Sequence, residues 1–404
     1  MSVVARRYES FGAVRRSRAG VSNAVAAVAV ILALVVAGVG GYYLRGGSTG
    51  TTTSTGGPGT TITSTMTTAS TVMEDLSSAA QAECTASTTT CLTILTTQDA
   101  SNWAKCYAPQ FDRLYPWATG KVNYVSLSAS AETTQLISNY QAHSVQSDVA
   151  TGTLAGLTPA VTAGAFMSYT SPLIPFMNYT ADAYGPAWVT TNRAIVHMIY
   201  NPKVLQAQNL PTPKTWADLA NPQYKGWIAF QTATSLSITT AEFYYLYTSG
   251  GNASGSWNTL MKGIAANNPI ITQTAGNAEQ DVISGQAAIG VATFDDYVSD
   301  LRANASVPLA FADIEPIVYT PGVVAITANT PHPNMAKLFE AFYISVPGQT
   351  GVLCTNHDPY MSSLSANLLT YLPADYRLVN AYANTTLLSN TGAWSTTFKN
   401  IFGA

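Results

Sequence analysis

Hydrophobic and polar positions divide the chain into three stretches of different character. Residues 21–44 are almost continuously apolar, and no charged side chain lies between Arg18 and Arg45. Residues 46–73 consist mainly of serine, threonine and glycine and show no apolar period. From about residue 90 onward, short runs typical of strands alternate with stretches of helical spacing. The pattern predicts a membrane-spanning helix, an unstructured linker and a folded α/β body.

The beginning of the folded body shows the alternation most clearly. Residues 91–97, 122–127 and 148–151 have the pattern of strands, whereas residues 102–114 and 130–142 have helical spacing. Alternating strands and helices predict a mostly parallel sheet that is covered on both faces. Sheets of this kind bind ligands at the carboxyl ends of their strands. Polar residues that directly follow the predicted strands are therefore the first candidates for a binding site.

The apolar stretch is long enough to cross a membrane. At a rise of about 1.5 Å per residue, about 20 helical residues span the hydrocarbon core of a bilayer. Five arginines precede the stretch and one follows it. The positive-inside rule then predicts a cytosolic leader at 1–20, a single membrane helix at 21–44, a linker at 45–80 and an extracellular module at 81–404.

The residues just before the apolar stretch leave its processing open. Arg18-Ala19-Gly20 followed by an apolar run resembles the cleavage region of archaeal class III, prepilin-like signals. In those signals the cut precedes the hydrophobic segment, here after Gly20. With or without cleavage, the apolar helix stays with the protein and anchors it in the cell membrane, with the body outside.

Composition narrows the function of the body. Hydrophobic residues make up 47% of the chain, which excludes a disordered protein, and charged residues only 10%, against about 25% in ordinary soluble domains. Beyond residue 45 there are 12 basic and 20 acidic residues. An acidic body with scattered cations matches the phosphate backbone of a nucleic acid poorly, so we expect no nucleic-acid partner. The neutral polar surface suits an extracellular protein.

Cysteines and glycosylation motifs agree with export. Four cysteines lie beyond the anchor, and four such residues allow three pairings. Cys84 and Cys91 enclose six polar residues and would clip the entry to the first strand, which would leave Cys106 and Cys354 to pair over a long separation. Four Asn-X-Ser/Thr motifs are candidate glycosylation sites: Asn178, Asn252, Asn304 and Asn384.

Several short motifs carry a resemblance to a known family. The most specific are K-T-W-A-D-L at residues 214–219 and N-P-Q-Y-K-G at residues 221–226. G-Q-A-A-I-G-V at residues 285–291 and the run at residues 334–349 follow in the family's order. Over about residues 90–365, the chain resembles the extracellular solute-binding proteins of ABC importers, in their family 1 and iron(III)-binding-like group.

The resemblance implies a two-lobed clamshell of the type II periplasmic-binding-protein class. Lobe 1 would hold about residues 90–190 and 320–404, and lobe 2 about residues 195–315, with chain crossings near 188–200 and 310–325. A small-molecule or metal-ion solute would bind between the lobes, and the closed protein would meet an ABC permease and its ATPase subunits. Such a protein needs no cofactor and performs no catalysis.

Polar residues at the predicted strand ends are the candidate ligand contacts. In the first lobe they follow three strands, and in the second lobe they follow the strand near residues 227–230. The alternative for each is ordinary helix capping by serine or threonine, which is the role predicted for Ser130. The candidates are Thr97, Gln98, Ser128, Ser130, Thr151, Gln231 and Thr232.

Asp295, Asp296 and Tyr297 form a further candidate site. Iron-binding members of the family carry adjacent tyrosines near this position, but only Tyr297 is present here. Ferric iron held by a tyrosine pair is therefore in doubt. Two carboxylates beside a tyrosine suit an amine, a cationic solute or a metal with oxygen ligands. In the alternative interpretation, the aspartates cap a helix at residues 297–302.

Two other functional classes were weighed against the solute-binding protein. An enzyme would be expected to show a recognisable motif, and the body contains no G-x-S-x-G, H-E-x-x-H or phosphate-binding loop sequence. Its four histidines are dispersed along the chain. A surface structural, adhesive or filament-associated protein is suggested by the prepilin-like segment. The importer-type motifs favour the solute-binding protein over both.

Overall fold

The computed structural model describes residues 60–176, 184–233, 238–249, 256–365, 368–373, 376–381 and 391–403. The predicted leader, the predicted membrane helix and the first part of the predicted linker lie outside these ranges, as do Asn178, Asn252 and Asn384. Among the described residues, no helix combines the length and the apolar character required to cross a bilayer.

The described body is built on one mixed sheet with helices on its faces. Eight strands follow one another in the order β2-β1-β3-β10-β5-β8-β6-β7, and four short strands pair at the sides of this path. The strands are β1 (Leu92–Thr96), β2 (Val122–Ser126), β3 (Val149–Thr153), β4 (Tyr184–Gly185), β5 (Trp188–Tyr200), β6 (Ile228–Gln231), β7 (Ile270–Thr272), β8 (Ile289–Thr293), β9 (Ala310–Phe311), β10 (Ile317–Ile326), β11 (Asp358–Pro359) and β12 (Leu378–Asn380).

The helices alternate with the strands as the sequence predicts. Short 3-10 turns and one π-helical turn at Trp103–Tyr107 complete the connections. The α-helices are α1 (Thr60–Ala86), α2 (Ala108–Leu114), α3 (Ala129–Gln141), α4 (Leu154–Thr162), α5 (Pro202–Ala207), α6 (Ile238–Ser249), α7 (Ser256–Ala266), α8 (Ala275–Ser284), α9 (Phe294–Ala303), α10 (Pro333–Ile344), α11 (Val346–Cys354), α12 (Ser362–Ser365) and α13 (Thr391–Phe402).

The sheet is parallel at its flanks and antiparallel at its centre. β1 pairs in parallel with β2 and β3, and β6 pairs in parallel with β7 and β8. Between these flanks, β10 pairs antiparallel with both β3 and β5, and β5 pairs antiparallel with β8. The expectation of a mostly parallel sheet therefore holds at the flanks only. The two long central strands occupy the positions where the sequence predicts the chain crossings.

Apolar side chains fill both faces of the sheet. Near β3, Leu95, Leu136 and Leu157 pack together with helices α3 and α4. A larger cluster around β6 and β8 includes Phe230 and Phe243. Burial of apolar side chains is the main source of stability in such clusters, at about 25 cal/mol per Å².

Helix α1 covers residues that the sequence assigns to the linker. Residues 60–80 are helical, and Met73 and Ala80 of this helix are buried. Near its end, the Glu83 carboxylate accepts hydrogen bonds from the backbone N–H groups of Asn334 and Met335, at 3.0 and 2.8 Å. These are orphan donors at the start of α10, so the contact fastens α1 to the body.

The four cysteines form two disulfides. Cys84 pairs with Cys91 across the entry to β1, and Cys106 pairs with Cys354 over 248 residues of sequence. The second bridge joins the π-helical turn to the end of α11. Of the three pairings that the sequence leaves open, the structure shows this one.

One predicted helix cap is corrected. The sequence assigns the cap of the helix at residues 130–142 to Ser130, but α3 begins at Ala129 and Ser128 is its cap. The Ser128 hydroxyl accepts a hydrogen bond from the Ala131 backbone N–H at 3.3 Å. Ser128 has the extended backbone that an N-cap requires, and Ser130 is already inside the helix.

Candidate functional site

A polar cleft opens where the carboxyl ends of β1 and β3 meet the two central strands. It lies between β1, β3, β5, β10, α10 and the segment that follows α11. Its walls are formed by Thr97, Gln98, Thr151, Gly152, Thr153, Thr191, Asn192, Ala194, Gly322, Val323, Tyr343 and His357.

The walls of the cleft are polar and almost free of charge. Threonine hydroxyls and two side-chain amides, those of Gln98 and Asn192, supply most of the polar groups. Tyr343 and His357 are the ionisable side chains in the lining of the cleft. Among the residues that the structure describes, no lysine, arginine, aspartate or glutamate belongs to that lining. Such a surface recognises a ligand by hydrogen bonding rather than by a full opposite charge.

A tyrosine–glutamine network, formed by Gln98, Tyr107, Tyr124 and Tyr343, supports one wall. The Gln98 Oε1 atom accepts hydrogen bonds from the Tyr107 and Tyr124 hydroxyls, at 3.2 and 3.3 Å. The Tyr107 and Tyr343 hydroxyls lie 3.1 Å apart. Burial raises the pKa of all three tyrosines, so each keeps its O–H proton over the physiological pH range.

The end of β3 forms the floor of the cleft. The Thr151 hydroxyl donates a hydrogen bond to the Thr96 hydroxyl at 2.8 Å, which holds the ends of β1 and β3 together. Behind Gly152 lies the buried carboxyl of Glu132. A Cβ atom at Gly152 would lie 3.1 Å from the Glu132 Oε2 atom. Burial raises the pKa of Glu132 to about 8, so this group is largely neutral at pH 7.

The central strands bring a second amide into the cleft. The Asn192 Oδ1 atom accepts a hydrogen bond from the Thr191 hydroxyl at 2.9 Å. The Asn192 side chain lies directly over Gly322, where no Cβ atom would fit. The register between β5 and β10 shifts at Gly322, which gives the strand pair its local irregularity. A residue with a side chain at position 322 would displace Asn192 from the cleft.

His357 links the cleft to the start of α9. Its Nε2 atom lies 3.5 Å from the Asp295 Oδ2 atom. Asp296 is held in turn by Thr293, whose hydroxyl donates a hydrogen bond to the Asp296 Oδ2 atom at 2.8 Å. Burial and the neighbouring Asp295 raise the pKa of Asp296 to about 6. Together, the carboxyl groups of four residues form what we call the α9 carboxylate group: Asp295, Asp296, Asp300 and Glu279.

The predicted metal ligands do not form a cluster. Tyr297 is buried in the apolar core, where its ring packs against Phe311 at 5.3 Å between centroids. The helix starts earlier than the predicted range of 297–302, at Phe294, and Thr293 rather than an aspartate is its cap. In the part of the chain that the structure describes, no group of three or more His, Cys, Asp or Glu side chains could hold a metal ion.

The structure brings only some of the candidate residues together. Thr97, Gln98 and Thr151 line the cleft. Ser128 and Ser130 are exposed at the start of α3, with their hydroxyl oxygens 3.3 Å apart.

The second-lobe candidates at the end of β6 lie outside the lining of the cleft. The Gln231 amide donates to the Gln273 carbonyl at 3.1 Å, and the Thr232 backbone N–H donates to the Thr272 carbonyl at 2.9 Å. Asp295 reaches the cleft only through its contact with His357.

Several lining residues have no clear signal in the sequence. Thr191, Asn192 and Gly322 lie within long central strands rather than at strand ends. Tyr343 belongs to α10, and His357 lies in the short segment between α11 and β11. Thr191, Asn192 and Gly322 could have been found only through the predicted chain crossings, because the crossing strands of a two-lobed protein pass beside its ligand.

Comparison with known proteins shows what the chain is similar to. Residues 155–346 match the model of the family described as bacterial extracellular solute-binding protein. The phosphoglycerate transport regulatory protein PgtC of Salmonella typhimurium is 26% identical over 192 residues, which are 45% of this chain and 47% of that protein. The match thus spans about half the length of this curated relative.

Solved structures show the same fold. Iron-bound HitA from Pseudomonas aeruginosa is similar with a TM-score of 0.62 at 17% identity, over 77% of this chain and 98% of HitA. AfuA from Actinobacillus pleuropneumoniae with bound fructose-6-phosphate gives 0.61 at 20% identity, over 78% and 97%. A periplasmic thiamin-binding protein gives 0.63 at 14% identity, over 77% and 96%.

The resemblance predicted from the short motifs is therefore confirmed. The body has the mixed α/β fold of periplasmic binding proteins, with a curled sheet. The family model and the solved structures that this chain resembles are those of solute-binding proteins.

Proposed function

We propose that this chain, a solute-binding protein by its family match and its fold, is the membrane-anchored subunit of an ABC importer that captures a small solute outside the cell. Residues 21–44 would hold it in the membrane, and the body would pass its solute to the permease and ATPase subunits. The observation that carries the proposal is the polar cleft at the ends of β1 and β3, beside the central strands β5 and β10.

The sheet supports a mechanism of hinge closure. β10 pairs with β3 on one side and with β5 on the other, and β5 continues to β8. We infer two lobes, near residues 90–190 with 320–404 and near residues 195–315, joined by these two strands. A ligand that contacts both lobes stabilises the closed form in proportion to its additional contacts there.

The candidate residues then have distinct roles in the two lobes. Thr97, Gln98 and Thr151 would hold the solute in the open form, because they already line the cleft. Gln231, Thr232 and Asp295 would approach the solute from the other lobe on closure. Ser128 and Ser130 would contribute at the rim, at the amino end of α3.

The chemistry of the lining favours a polar organic solute over ferric iron. HitA binds iron, AfuA binds fructose-6-phosphate and the thiamin-binding protein binds thiamin, so one fold takes unlike solutes. The cleft of this chain presents hydroxyls and amides. Hard trivalent cations need anionic oxygen ligands, which this lining does not provide.

Thermal unfolding of the full-length protein in detergent tests the proposal. We expect at least one solute from a panel of organic acids, phosphate esters, sugars, vitamins, polyamines and metal ions to raise the melting temperature, because ligand binds the folded state only. A panel-wide absence of any shift would contradict the proposal.

A matched pair of variants assigns the shift to the cleft. Thr97→Trp places a large side chain at the exposed mouth of the cleft, and Ser144→Trp places the same side chain at an exposed position outside its lining. Thr97→Trp should abolish the solute-dependent shift without lowering the melting temperature of the free protein. Ser144→Trp should leave both unchanged.

A further inference from the structure

The orientation of the Gln98 amide defines the chemical group that the cleft accepts. Building on the proposed function, we propose that Gln98 is a donor-only anchor, fixed by Tyr107, Tyr124 and Tyr343, and that it selects a solute through an oxyanion, a phosphate or a carboxylate. The tyrosines act as positioning residues, because they set the direction of the amide; of the three, Tyr343 also lines the cleft.

The three tyrosines of the network differ in exposure: Tyr107 and Tyr343 are buried, and Tyr124 is half-buried. Tyr107 and Tyr343 are 1% and 2% exposed, so their O–H groups must find acceptors within the protein. A hydroxyl both donates and accepts, but an amide oxygen only accepts. The Gln98 Oε1 atom receives two of these hydroxyls, at 3.2 Å from Tyr107 and 3.3 Å from Tyr124. It is the terminal acceptor of the network.

This arrangement leaves the amide nitrogen for the cleft. With its oxygen directed at the tyrosines, the amide turns the Nε2 group and its two protons away from Tyr107 and Tyr124. Hydrogen bonding by Gln98 lowers the pKa of Tyr343, so at most one of these protons is engaged there. Gln98 lines the cleft, and its hydrogen bonds with Tyr107 and Tyr124 both use the oxygen rather than the Nε2 atom. At least one N–H therefore faces the solute.

The network also prevents the Gln98 amide from flipping. Burial raises the pKa of all three tyrosines, which therefore remain proton donors wherever the protein functions. Turning the amide around would leave hydroxyl protons without an acceptor in a buried place. An unmade buried hydrogen bond costs about 1–3 kcal/mol in general, so two such losses hold the amide firmly in one orientation.

A second amide shows the same design from an independent element. The Asn192 Oδ1 atom is engaged by the Thr191 hydroxyl at 2.9 Å, and Asn192 is 5% exposed against Gly322. As in Gln98, the amide protons, here on Nδ2, are therefore the part of the side chain that is left for the solute. Gln98, just after β1, and Asn192, on β5, thus both present amide N–H groups to the cleft, while their amide oxygens accept hydrogen bonds from the protein.

The charges around the cleft agree with an oxyanion. The nearest buried carboxyl, Glu132 behind Gly152, has a pKa raised to about 8 and is largely neutral at pH 7. The acid beyond the cleft, Asp295, is faced by His357 at 3.5 Å. Neutral, fixed donors complement an acceptor-only group, and a cationic amine would find protons opposed to its own.

Isothermal titration of the full-length protein in detergent tests this inference with five probes. Inorganic phosphate, 3-phosphoglycerate and fructose 6-phosphate carry an oxyanion from different sources, and fructose and spermidine do not. We expect at least one of the three oxyanion probes to bind, and fructose and spermidine to bind at least about 30-fold more weakly than the best of them.

The decisive variant is Gln98→Glu, which keeps the size and the tyrosine-facing oxygen but replaces the free N–H groups with a second acceptor. We expect about a 100-fold loss in affinity for the best oxyanion probe, since an acceptor then meets an acceptor. Gln141→Glu, the same change at an exposed end of α3, should leave affinity unchanged. Tyr124→Phe should lower the affinity for the best oxyanion probe about 3- to 10-fold, because the amide is then less firmly directed. The ratio of this affinity to the affinity for fructose should fall as well.

Each outcome bears on a defined statement. Binding of an oxyanion probe with no loss in Gln98→Glu would overturn the inference and leave the proposed function standing. Preferential binding of spermidine or fructose would do the same. If no probe binds by titration while another solute shifts the melting temperature, the inference is wrong and the function holds. If no solute acts in either experiment, both are wrong.

Discussion

The two ends of the cleft hold their polar groups in opposite ways. At the β1–β3 end, the tyrosine–glutamine network pairs neutral hydroxyls and an amide, and each buried donor reaches an acceptor. At the other end, the α9 carboxylate group gathers acids whose charges oppose one another. Glu279 is 1% exposed, and neither of its carboxyl oxygens has a hydrogen-bond partner among the described residues.

The difference separates a recognition surface from a titrating one. A satisfied neutral network keeps its geometry over a wide range of pH, because none of its members changes charge. Partly buried acids instead change charge within the range in which proteins operate. We therefore expect binding geometry to depend on the first end, and the pH dependence of stability to depend on the second.

The largest expected effect concerns the Cys106–Cys354 disulfide, which lies beside the tyrosine–glutamine network. Replacing Cys106 and Cys354 together by serine should lower the free energy of unfolding by about 3–5 kcal/mol, because the bridge closes a very long loop. Tyr107 follows Cys106 directly, so solute binding should weaken as well. Denaturant unfolding and titration of the double variant measure both effects.

The second disulfide is the matched control. Replacing Cys84 and Cys91 by serine removes a bridge between residues only seven apart, and should cost about 2 kcal/mol with no change in solute affinity. An equal loss of affinity in both double variants would show that the long bridge has no special relation to the network.

A pair of glycines compares the rigidity of the two ends. In Gly351→Ala the new methyl group would overlap the buried Tyr107 ring, which has no room to move, and we expect a loss of about 1–3 kcal/mol in the free energy of unfolding. In Gly276→Ala the methyl group would lie 3.3 Å from the Asp296 Oδ2 atom, which can shift slightly. That variant should cost less than about 1 kcal/mol.

Chemical denaturation of both glycine variants at one pH measures the contrast. Similar losses in the two would mean that the ends of the cleft are equally rigid. A loss in Gly351→Ala that is accompanied by weaker solute binding would tie the ring of Tyr107 to the binding geometry.

The pH dependence of stability probes the α9 carboxylate group. Burial and the neighbouring Asp296, Asp300 and Asp295 raise the pKa of Glu279 from 4.5 to about 9. Between these values the folded protein holds a proton that the unfolded chain releases, so stability falls as pH rises through this window and levels off above it. Glu279→Gln should remove part of this decline and be more stable than the wild type by about 1–2 kcal/mol at pH 8.

Unfolding curves at pH 5, 7 and 8.5 measure this slope. Asp75→Asn, an exposed carboxyl on α1, is the control and should leave the slope as it is. A wild-type stability that rises between pH 5 and 8.5, or an unchanged slope in Glu279→Gln, would contradict the assignment.

The smallest expected effect concerns the contact between His357 and Asp295. Their side chains are 20% and 23% exposed, and pairs of this kind contribute only about 0–1 kcal/mol. Asp295→Asn should therefore change the free energy of unfolding by about 0.5 kcal/mol. A double-mutant cycle with His357→Gln isolates the pair, and a coupling well above about 1 kcal/mol would show that it acts as a structural clamp.

Local features were the most predictable part of the fold. Within the K-T-W-A-D-L motif, the Asp218 carboxylate accepts hydrogen bonds from the Lys214 and Thr215 backbone N–H groups at 2.7 and 2.9 Å, so the contact joins residues that are close in sequence. The first strands were found for the same reason, because their periodicity lies within the segment itself. The centre of the sheet was not, since the antiparallel pairing of β5 with β10 joins residues more than 100 positions apart.

The residues of the candidate site also differ in whether the local sequence indicates them. Thr97, Gln98 and Thr151 could be named because they follow short strands in a regular α/β pattern. Asn192 and His357 reach the cleft through long-range pairing and through the segment after α11, for which a single sequence carries no local signal. Tyr297 stands beside two aspartates in the sequence, whereas in the structure its ring packs against Phe311.

The position of β10 has a consequence for the making of the protein. β3 ends at Thr153 and β5 begins at Trp188, yet the strand that separates them in the sheet is not synthesised until residue 326. Until then each nascent half exposes an unpaired strand edge, and such edges invite association with other chains. We expect the polypeptide to remain unfinished and in need of protection for most of its synthesis, and then to complete its sheet late and slowly.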